Sequence, residues 1–269
     1  MEHFLNEDIA KQFASQGLGD FASLWDLKLE WFEPVNERRE GWSGVSRYTL
    51  PSEAPLHVFI KRQQNHNTRQ LLHPIRGIPT FQREYHNIEL FRSRAIPTLT
   101  PLYYGKRRED NNDQAILITL ALEGYENLYD WNQKRVPQQP EAVTQKALAA
   151  IARVIRNLHD QGLAHYCLYP NHIFIRSPET SITALDQNPE IIRLIDLEKS
   201  RRQPFNHIRR FKDLECFIRH AQHFSLTHIR FLLDCYFNGD AVSGGKHLHQ
   251  HLLKALRDKN DRQPGFYRT

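Results

Sequence analysis

The hydrophobic and polar positions of the chain follow different periods in different segments, and these periods predict its strands and helices. Residues 24–35 alternate apolar and polar side chains, as half-buried strands do. Residues 40–50 read as a turn followed by a strand, and residues 56–63 read as a compact apolar strand. Residues 1–20 and 80–96 instead space their apolar side chains as helices do.

From residue 125 onward the period is mostly helical. Residues 141–162 form a long amphipathic pattern, and Gly162 is placed to end that helix. Two short apolar segments, "HIFI" and "IIRLIDL", follow, and the residues from about 211 again favour helices. The second part of the chain is therefore predicted to be mainly helical.

The two patterns together predict an α+β fold in two lobes with a cleft between them. The N-terminal lobe, residues 1–124, is expected to be a small antiparallel sheet that carries one helix. The C-terminal lobe, residues 125–269, is expected to be helical. The boundary is expected near Glu123–Tyr125.

The composition and the apolar patterns of the chain indicate where the protein is located. The 269 residues are 40% hydrophobic and 25% charged, as in ordinary globular proteins. No run approaches the ~18 apolar residues of a membrane span, and the first residues lack the pattern of a secretory signal. The three cysteines form no C-x-x-C pair and are expected to be free thiols. We therefore expect a cytoplasmic protein.

The charge balance is mildly basic. Lys plus Arg exceed Asp plus Glu by 36 − 31 = 5. An excess of this size suits an anionic partner. No recognised nucleic-acid motif accompanies it, so nucleic acid is not expected as the partner.

Five segments that could carry chemistry follow one another in a recognisable order. "GWSGV" precedes a strand, Lys61 lies near the end of the next strand, and Glu84 lies in the helix that follows. "HYCLYPNH" begins at His165, and "IDLEKS" places Asp196 31 residues later. This order resembles the protein-kinase-like fold, and more specifically the lipopolysaccharide kinase family with its InaA-like branch. The resemblance covers roughly residues 25–240.

The resemblance implies a cofactor, a substrate and a location. The cofactors would be ATP and Mg²⁺, bound between the lobes. The reaction would be phosphorylation of a sugar hydroxyl of the lipopolysaccharide core, with this glycolipid as the partner. Such an enzyme would work in the cytoplasm, in peripheral contact with the inner face of the membrane.

The resemblance also assigns roles in the N-terminal lobe. Lys61 would hold the α- and β-phosphates, and Glu84 would fix Lys61, with Glu89 as the fallback carboxylate. Gly41 and Gly44 would let backbone amides approach phosphates, although any hairpin would also use two glycines. Lys61 and Glu84 are predicted to form an ion pair that faces Asp196.

Four residues of the C-terminal lobe receive roles in the same way. Asp196 would hold Mg²⁺ through its carboxylate. His172 occupies the position of a second metal ligand, usually Asn, and contact with phosphate or with bound water is the alternative. His165 would hydrogen-bond the backbone beside Asp196. Asp213 would brace the catalytic loop from below.

Cys167 departs from the kinase pattern, because it occupies the position of the catalytic Asp. A carboxylate accepts the proton of the acceptor hydroxyl, whereas a thiol is mostly protonated at neutral pH. Loss of a general base typically costs ~10²–10⁴ in rate. Two hypotheses follow: a slow kinase, and a pseudokinase that binds nucleotide without transfer. A small-molecule phosphotransferase of the antibiotic-kinase type is a third, and it would need the Asp as well.

The segment after Asp196 is basic and lies where a kinase binds its acceptor. A phosphorylated, carboxylate-bearing glycolipid would suit such a surface. A solvated basic loop is the alternative. The cations of this segment are Lys199, Arg201, Arg202, Arg209 and Arg210.

Overall fold

The structure is a computed structural model, and it describes most of the chain. The described residues are 2–38, 41–51, 54–70, 73–176, 191–203, 207–237 and 245–268, and side chains are not described at 2, 69–70, 73–76, 207–209 and 245. By its internal contacts the chain divides into two units. Unit 1 comprises Met1–Leu90 and Leu99–Glu123, and unit 2 comprises Phe91–Thr98 and Gly124–Thr269.

Unit 1 is built on a six-stranded antiparallel sheet in the order β1-β7-β8-β4-β3-β2. Its strands are Glu2–Phe4 (β1), Asn36–Arg38 (β2), Gly41–Leu50 (β3), Leu56–Gln64 (β4), Pro101–Glu109 (β7) and Asn112–Leu120 (β8). A separate hairpin pairs Asn67–Gln70 (β5) with His73–Pro79 (β6). The helices are Glu7–Ser15 (α1), Phe21–Asp26 (α2) and Thr80–Ser93 (α3), and the end of α3 is counted with unit 2.

The alternation of faces along β4 places its functional side chain. Ile60 is fully buried in the apolar core of unit 1 and lies opposite Ile118 of β8. Successive residues of a strand point to opposite faces, so Lys61 projects from the other face of the sheet. The register of the core thereby fixes the direction of Lys61.

The strand predicted at 24–35 is wrong. Leu24 lies in α2, and residues 27–35 contain no strand. The backbone carbonyls of Trp25 and Leu27 accept hydrogen bonds from Arg62 Nη1, at 2.8 and 2.7 Å, instead of bonds from a neighbouring strand. Apolar side chains of this segment still pack on the core of unit 1, so the alternation reports burial and not strand pairing.

Unit 2 is mainly helical. Its helices are Leu128–Lys134 (α4), Glu141–Asp160 (α5), His207–His220 (α6), Leu226–Phe237 (α7) and Gly245–Arg262 (α8). A three-stranded antiparallel sheet has the order Ile192–Leu194 (β12), Ile173–Arg176 (β11), Tyr125–Asn127 (β9). Leu163–Ala164 (β10) pairs with Arg201–Arg202 (β13). Short 3-10 turns occupy Val136–Gln138, Pro170–His172 and Leu197–Lys199.

The long helix α5 supports the loop that follows it. Its apolar stripe is buried, as predicted, and the helix ends where Gly162 adopts a φ of 68°. The chain then enters β10 and reaches His165. The α+β fold class is thus confirmed, with an antiparallel sheet in unit 1 and a mainly helical unit 2. Within the described residues, no helix has both the length and the apolar character needed to cross a membrane.

Candidate active site

Unit 1 contains a buried ion pair between Lys61 and Glu84. Lys61 Nζ lies 2.6 Å from Glu84 Oε1, and the two side chains are 17% and 3% exposed. Lys61 comes from β4, and Glu84 comes from the start of α3. Glu89, the fallback carboxylate, occupies an exposed position of that helix. The structure therefore brings together the predicted pair, with Glu84 as the partner.

Gly41 and Gly44 are required by the packing of unit 1 itself. A Cβ on Gly41 would lie 2.4 Å from the carbonyl carbon of Asn65. A Cβ on Gly44 would lie 2.5 Å from the indole ring of Trp31. Real Cβ atoms do not approach neighbours so closely. Phosphate contact by these glycines remains a prediction, and the packing alone accounts for the absence of a side chain.

In unit 2, the carboxylate of Asp213 anchors the segment that begins at His165. It accepts hydrogen bonds from the backbone N–H groups of His165, at 2.7 Å, and Tyr166, at 3.0 Å. His159 Nε2 lies 3.3 Å from the same carboxylate, and His159 Nδ1 lies 2.7 Å from the hydroxyl of Tyr236. Asp213 thus braces the loop, in the manner predicted.

Asp213 lies about two turns inside helix α6, which spans His207–His220. At this distance from the first turn, the helix N-terminus does not account for its role. Burial raises the pKa of Asp213, but the hydrogen bond and charge of His159 and the backbone N–H of His165 outweigh burial, and the pKa lies below its ordinary value. Asp213 stays a carboxylate, the form that accepts these hydrogen bonds.

The brace sustains an unfavourable backbone conformation. Tyr166 has a φ of 68°, in the left-handed region that bulky residues rarely adopt. Strain of this kind persists only where surrounding contacts impose it, and it clusters at functional sites. Here the N–H of Tyr166 is held by Asp213.

His165 is completely buried and connects two segments of unit 2. Its Nδ1 accepts the backbone N–H of Cys167 at 3.3 Å, so the ring proton resides on Nε2. Nε2 then donates to the carbonyl of Ile195 at 3.0 Å, the residue before Asp196. Burial, with a smaller contribution from His172, lowers the pKa of His165 to about 4. The neutral ring joins the loop to the segment of Asp196.

Cys167 is buried, and its own backbone orders the rest of the loop. Its carbonyl accepts hydrogen bonds from Tyr169 N at 2.8 Å and from His172 Nδ1 at 2.9 Å. Burial and the neighbouring Cys167 raise the pKa of Tyr169, and Cys167 also acts to raise the pKa of Lys199 against the effect of burial. The loop keeps its hydrogen-bonded form with a thiol in place of the carboxylate.

His172 and Asp196 lie side by side in unit 2. His172 Nε2 lies 3.4 Å from Asp196 Oδ2. Since Nδ1 donates to the Cys167 carbonyl, Nε2 of the neutral ring presents a lone pair beside a carboxylate oxygen. Two adjacent electron donors of this kind suit a cation between them. In the described part of the chain, no group of three or more His, Cys, Asp or Glu side chains is arranged for a metal ion.

Comparisons with known proteins agree with this geometry. A model of the "Lipopolysaccharide kinase (Kdo/WaaP) family" matches residues 22–236. The chain belongs to the lipopolysaccharide kinase (Kdo/WaaP) family. Protein InaA of Escherichia coli (strain K12) is 29% identical over 187 residues, which cover 68% of this chain and 80% of InaA. A solved structure, "WaaP in complex with acyl carrier protein", covers 90% of this chain and 91% of its own, with a TM-score of 0.63 and 19% identity.

The family assignment predicted from the order of motifs is therefore confirmed. The match to InaA agrees with the predicted branch of the lipopolysaccharide kinase family. The likeness to WaaP shows a shared fold, and at 19% identity it shows the fold alone.

The sequence gives no sign of the electrostatic influence of Cys167 on Lys199. In the sequence Lys199 is only one cation of a basic segment, because its surroundings depend on the turn after Asp196. The other cations of this segment differ from one another. Arg201 lies 5.2 Å above the ring of Tyr166, whereas Arg210 pairs with Asp160 of α5 at 3.0 Å. The side chain of Arg209 lies outside the described residues.

The packing of Gly44 gives a first testable prediction. Gly44→Ala should lower the free energy of unfolding by about 1–3 kcal/mol, because the new methyl group meets the Trp31 ring. Urea unfolding should show a smaller loss when the same substitution is made in a Trp31→Ala background. An equal loss of unfolding free energy in both backgrounds would show that contact with the Trp31 indole is not what requires a glycine at position 44.

The buried His165 predicts a specific pH dependence of stability. Its folded pKa of about 4 lies below the ordinary 6.5, so the unfolded chain binds the extra proton first as the pH falls. The contribution of the neutral His165 ring to the free energy of unfolding is fully present above pH 6.5. It decreases by about 1.4 kcal/mol per pH unit as the pH falls from 6.5 towards 4. The wild type should therefore lose about 2 kcal/mol of its advantage over His165→Asn between pH 7 and pH 4.5 in urea unfolding. A pH-independent difference would contradict this account.

Proposed function

We propose that the protein is a kinase that transfers the γ-phosphoryl group of ATP to a sugar hydroxyl of the lipopolysaccharide core. The observation that carries the proposal is the buried ion pair of Lys61 and Glu84, in a chain of the lipopolysaccharide kinase family. Its cofactors are ATP and Mg²⁺. It works in the cytoplasm, at the face of the inner membrane where its glycolipid partner is anchored.

The cost of burying the ion pair supports a functional reason for it. A buried Lys–Glu pair loses its hydration, and this loss roughly cancels the attraction between the charges. The pair at 2.6 Å therefore adds little to stability for its degree of burial. What it does provide is an ammonium group in a fixed place, as nucleotide phosphates require.

The donors of unit 2 fit a magnesium ion that is carried in with a nucleotide. Mg²⁺ in phosphoryl-transfer sites is commonly held by one or two carboxylates, while phosphates and water supply its other ligands. Asp196 offers the carboxylate, and His172 lies 3.4 Å from it with Nε2 turned towards it. When bound, the ion neutralises charge on the phosphates. The chain itself holds Asp196 in place through Ile195, whose backbone N–H donates to the His172 carbonyl at 3.0 Å.

Cys167 slows the reaction in this proposal without abolishing it. Phosphoryl transfer has a loose transition state, so positioning and electrostatics carry most of the acceleration and the base contributes less. The positioning contacts of the loop use backbone groups, and they are present around Cys167. The expected deficit is the ~10²–10⁴ typical of a missing general base.

A pseudokinase is the second candidate function, and the chemistry of Cys167 favours it. The residue is only 4% exposed, and it offers no carboxylate to an acceptor hydroxyl. In this alternative the protein binds Mg²⁺ and nucleotide without transferring phosphate. Nucleotide binding is common to both candidates, and transfer distinguishes them.

Nucleotide binding is tested by thermal unfolding. Millimolar Mg-ATP should raise the melting temperature of the wild type, because a ligand that binds only the folded state stabilises it. Lys61→Met should lose most of this rise, since it removes a phosphate contact. Lys106→Met is the matched control: Lys106 also bonds a side chain of α3, Gln82, at 3.1 Å. No rise in the wild type would count against both candidate functions.

Restoring the carboxylate tests catalysis. Cys167→Asp should raise the initial rate of phosphoryl transfer to core lipopolysaccharide, by up to ~10²-fold if proton removal limits the rate. A buried carboxylate is costly when unpaired, so the free energy of unfolding of the Asp variant is measured first. Cys167→Asn, which has the shape but no charge, should give no increase.

The outcome separates the two candidate functions. A rate increase in the Asp variant alone would assign the missing step to proton removal. A folded Asp variant that binds Mg-ATP and transfers nothing to any core glycolipid would favour the pseudokinase.

A further inference from the structure

Gln63 follows Lys61 by two residues on β4, and its side chain is completely buried in unit 1. The pairing of β4 with β3 and β8 continues through both residues without a bulge. Side chains two apart on a strand project from the same face, so Gln63 lies on the face of the sheet that carries Lys61. A buried amide is thus the next side chain along the strand from the lysine of the candidate site.

The amide of Gln63 joins β4 to the start of α3. Its Oε1 accepts a hydrogen bond from the backbone N–H of Phe81 at 2.7 Å, and its Nε2 donates to the His66 carbonyl at 2.7 Å. The first N–H groups of a helix have no partner within the helix. Pro79, the residue before α3, has no side-chain acceptor to offer them. Gln63 therefore supplies an acceptor for the first turn of α3 from the neighbouring strand.

The His66 carbonyl is the second fixed point of this arrangement. It also accepts hydrogen bonds from the Thr80 hydroxyl at 2.9 Å and from the Thr80 backbone N–H at 3.2 Å. The residue before it, Asn65, donates its N–H to the carbonyl of Asp113 in β8, and its side-chain oxygen accepts the Asp113 N–H, each at 2.9 Å. The connection from β4 to α3 is thus fastened to the sheet at its base, together with the first turn of α3.

The first turn of α3 determines where the carboxylate of Glu84 lies. Glu84 comes three residues after Phe81, and long side chains of a helix point back towards its N-terminus. The Glu84 side chain therefore extends towards the turn that Gln63 holds. Its Oε1 lies 2.6 Å from Lys61 Nζ. A displacement of the helix by about 1 Å would take this pair beyond hydrogen-bonding distance.

Packing alone does not require an amide at position 63. An apolar side chain would fill a buried space without the cost of removing an amide from water. A buried polar network in which every group has a partner instead specifies one arrangement of the elements that it joins. Both ends of the Gln63 amide have such partners, one in α3 and one in the connection before it.

We propose that Gln63 is a positioning residue, which sets the contact between Lys61 and Glu84 by holding the first turn of α3 to β4, and thereby sets the affinity for the nucleotide. The statement about the nucleotide rests on the proposed function, whereas the statement about the ion pair does not. Gln63 acts through Glu84 and does not itself contact the nucleotide.

The nuclear magnetic resonance signal of the Lys61 ammonium tests the positioning without a nucleotide. In protein labelled with nitrogen-15 at lysine, an ammonium held in a buried ion pair exchanges its protons slowly with water and gives a separate signal. Lys61→Met assigns that signal, and Glu84→Gln shows its change when the ion pair is lost. Gln63→Met has a side chain of similar length that makes neither hydrogen bond, and it should shift and broaden the Lys61 signal in the same direction as Glu84→Gln.

Gln114→Met is the matched control for the loss of a buried amide. Gln114 is also buried in unit 1, and its side chain bonds Gln64 at 3.0 Å and Arg107 at 2.7 Å, away from α3. This variant should leave the Lys61 signal as in the wild type. Thr80→Val, which removes only the hydroxyl bond to the His66 carbonyl, is the second test variant if Gln63→Met does not fold, and it should cause a smaller change in the same direction.

The affinity for Mg-ATP, measured by titration calorimetry on folded protein, is the second measurement. Gln63→Met should raise the dissociation constant of Mg-ATP by up to about 10-fold, as the loss of a well-formed hydrogen bond allows. Gln114→Met should leave the dissociation constant unchanged. A loss of stability alone would not produce this difference, because both variants lose a buried amide of the same unit.

The two measurements separate this inference from the proposed function. A Lys61 signal that is the same in Gln63→Met and in the wild type would overturn the positioning role, whatever the protein binds. An equal change in Gln63→Met and Gln114→Met would overturn it as well, since the effect would then be a general one. A change confined to Gln63→Met, in a protein whose wild type does not bind Mg-ATP, would support the positioning of the ion pair and overturn the proposed function.

Discussion

The Asp213 carboxylate accepts hydrogen bonds from the backbone N–H groups of His165 and Tyr166, and the loop of unit 2 depends on this interaction. It fixes the strained turn at Tyr166, and the neutral ring of His165 then joins Cys167 to Ile195. Every contact in this series of hydrogen bonds uses a backbone group, a buried ring or the carboxylate from α6. None of them uses the side chain at position 167.

This arrangement explains how the loop remains ordered with a thiol at position 167, where the resemblance to kinases implies an Asp. The backbone of Cys167 donates to His165 and accepts from His172, so the residue still organises its neighbours. Only the group that would accept a proton has changed. Phosphoryl transfer depends mainly on position and charge, so under the proposed kinase function the protein would lose one contribution to catalysis and retain the others.

The sequence predicted the elements of the fold well where one period dominated. The amphipathic pattern of α5 and the apolar strand β4 were found because burial of one face sets a clear repeat. The alternating pattern at 24–35 predicted a strand that does not form. The backbone carbonyls of Trp25 and Leu27 in this segment accept hydrogen bonds from Arg62 and not from a strand. The hairpin of β5 and β6 was missed, because it lacks a clear apolar alternation.

The candidate site could be predicted only as far as its residues follow the family order. Lys61, Glu84, Asp196 and Asp213 occupy motif positions, and the structure gives each a partner within its own unit. The packing of Trp31 against Gly44 depends on the direction of the Trp31 side chain. Such contacts between residues distant in sequence leave no periodic or motif signal in the sequence.

Label transfer from ATP is the most direct test of the central claim, that the loop around Cys167 still supports phosphoryl transfer. Purified wild-type protein would be incubated with Mg²⁺, γ-labelled ATP and extracted lipopolysaccharide, beside the matched variants Lys61→Met and Asp196→Asn. The account predicts slow incorporation of label into the glycolipid by the wild type and none by either variant. Incorporation by the wild type no faster than by Asp196→Asn, in protein that binds Mg-ATP, would contradict it.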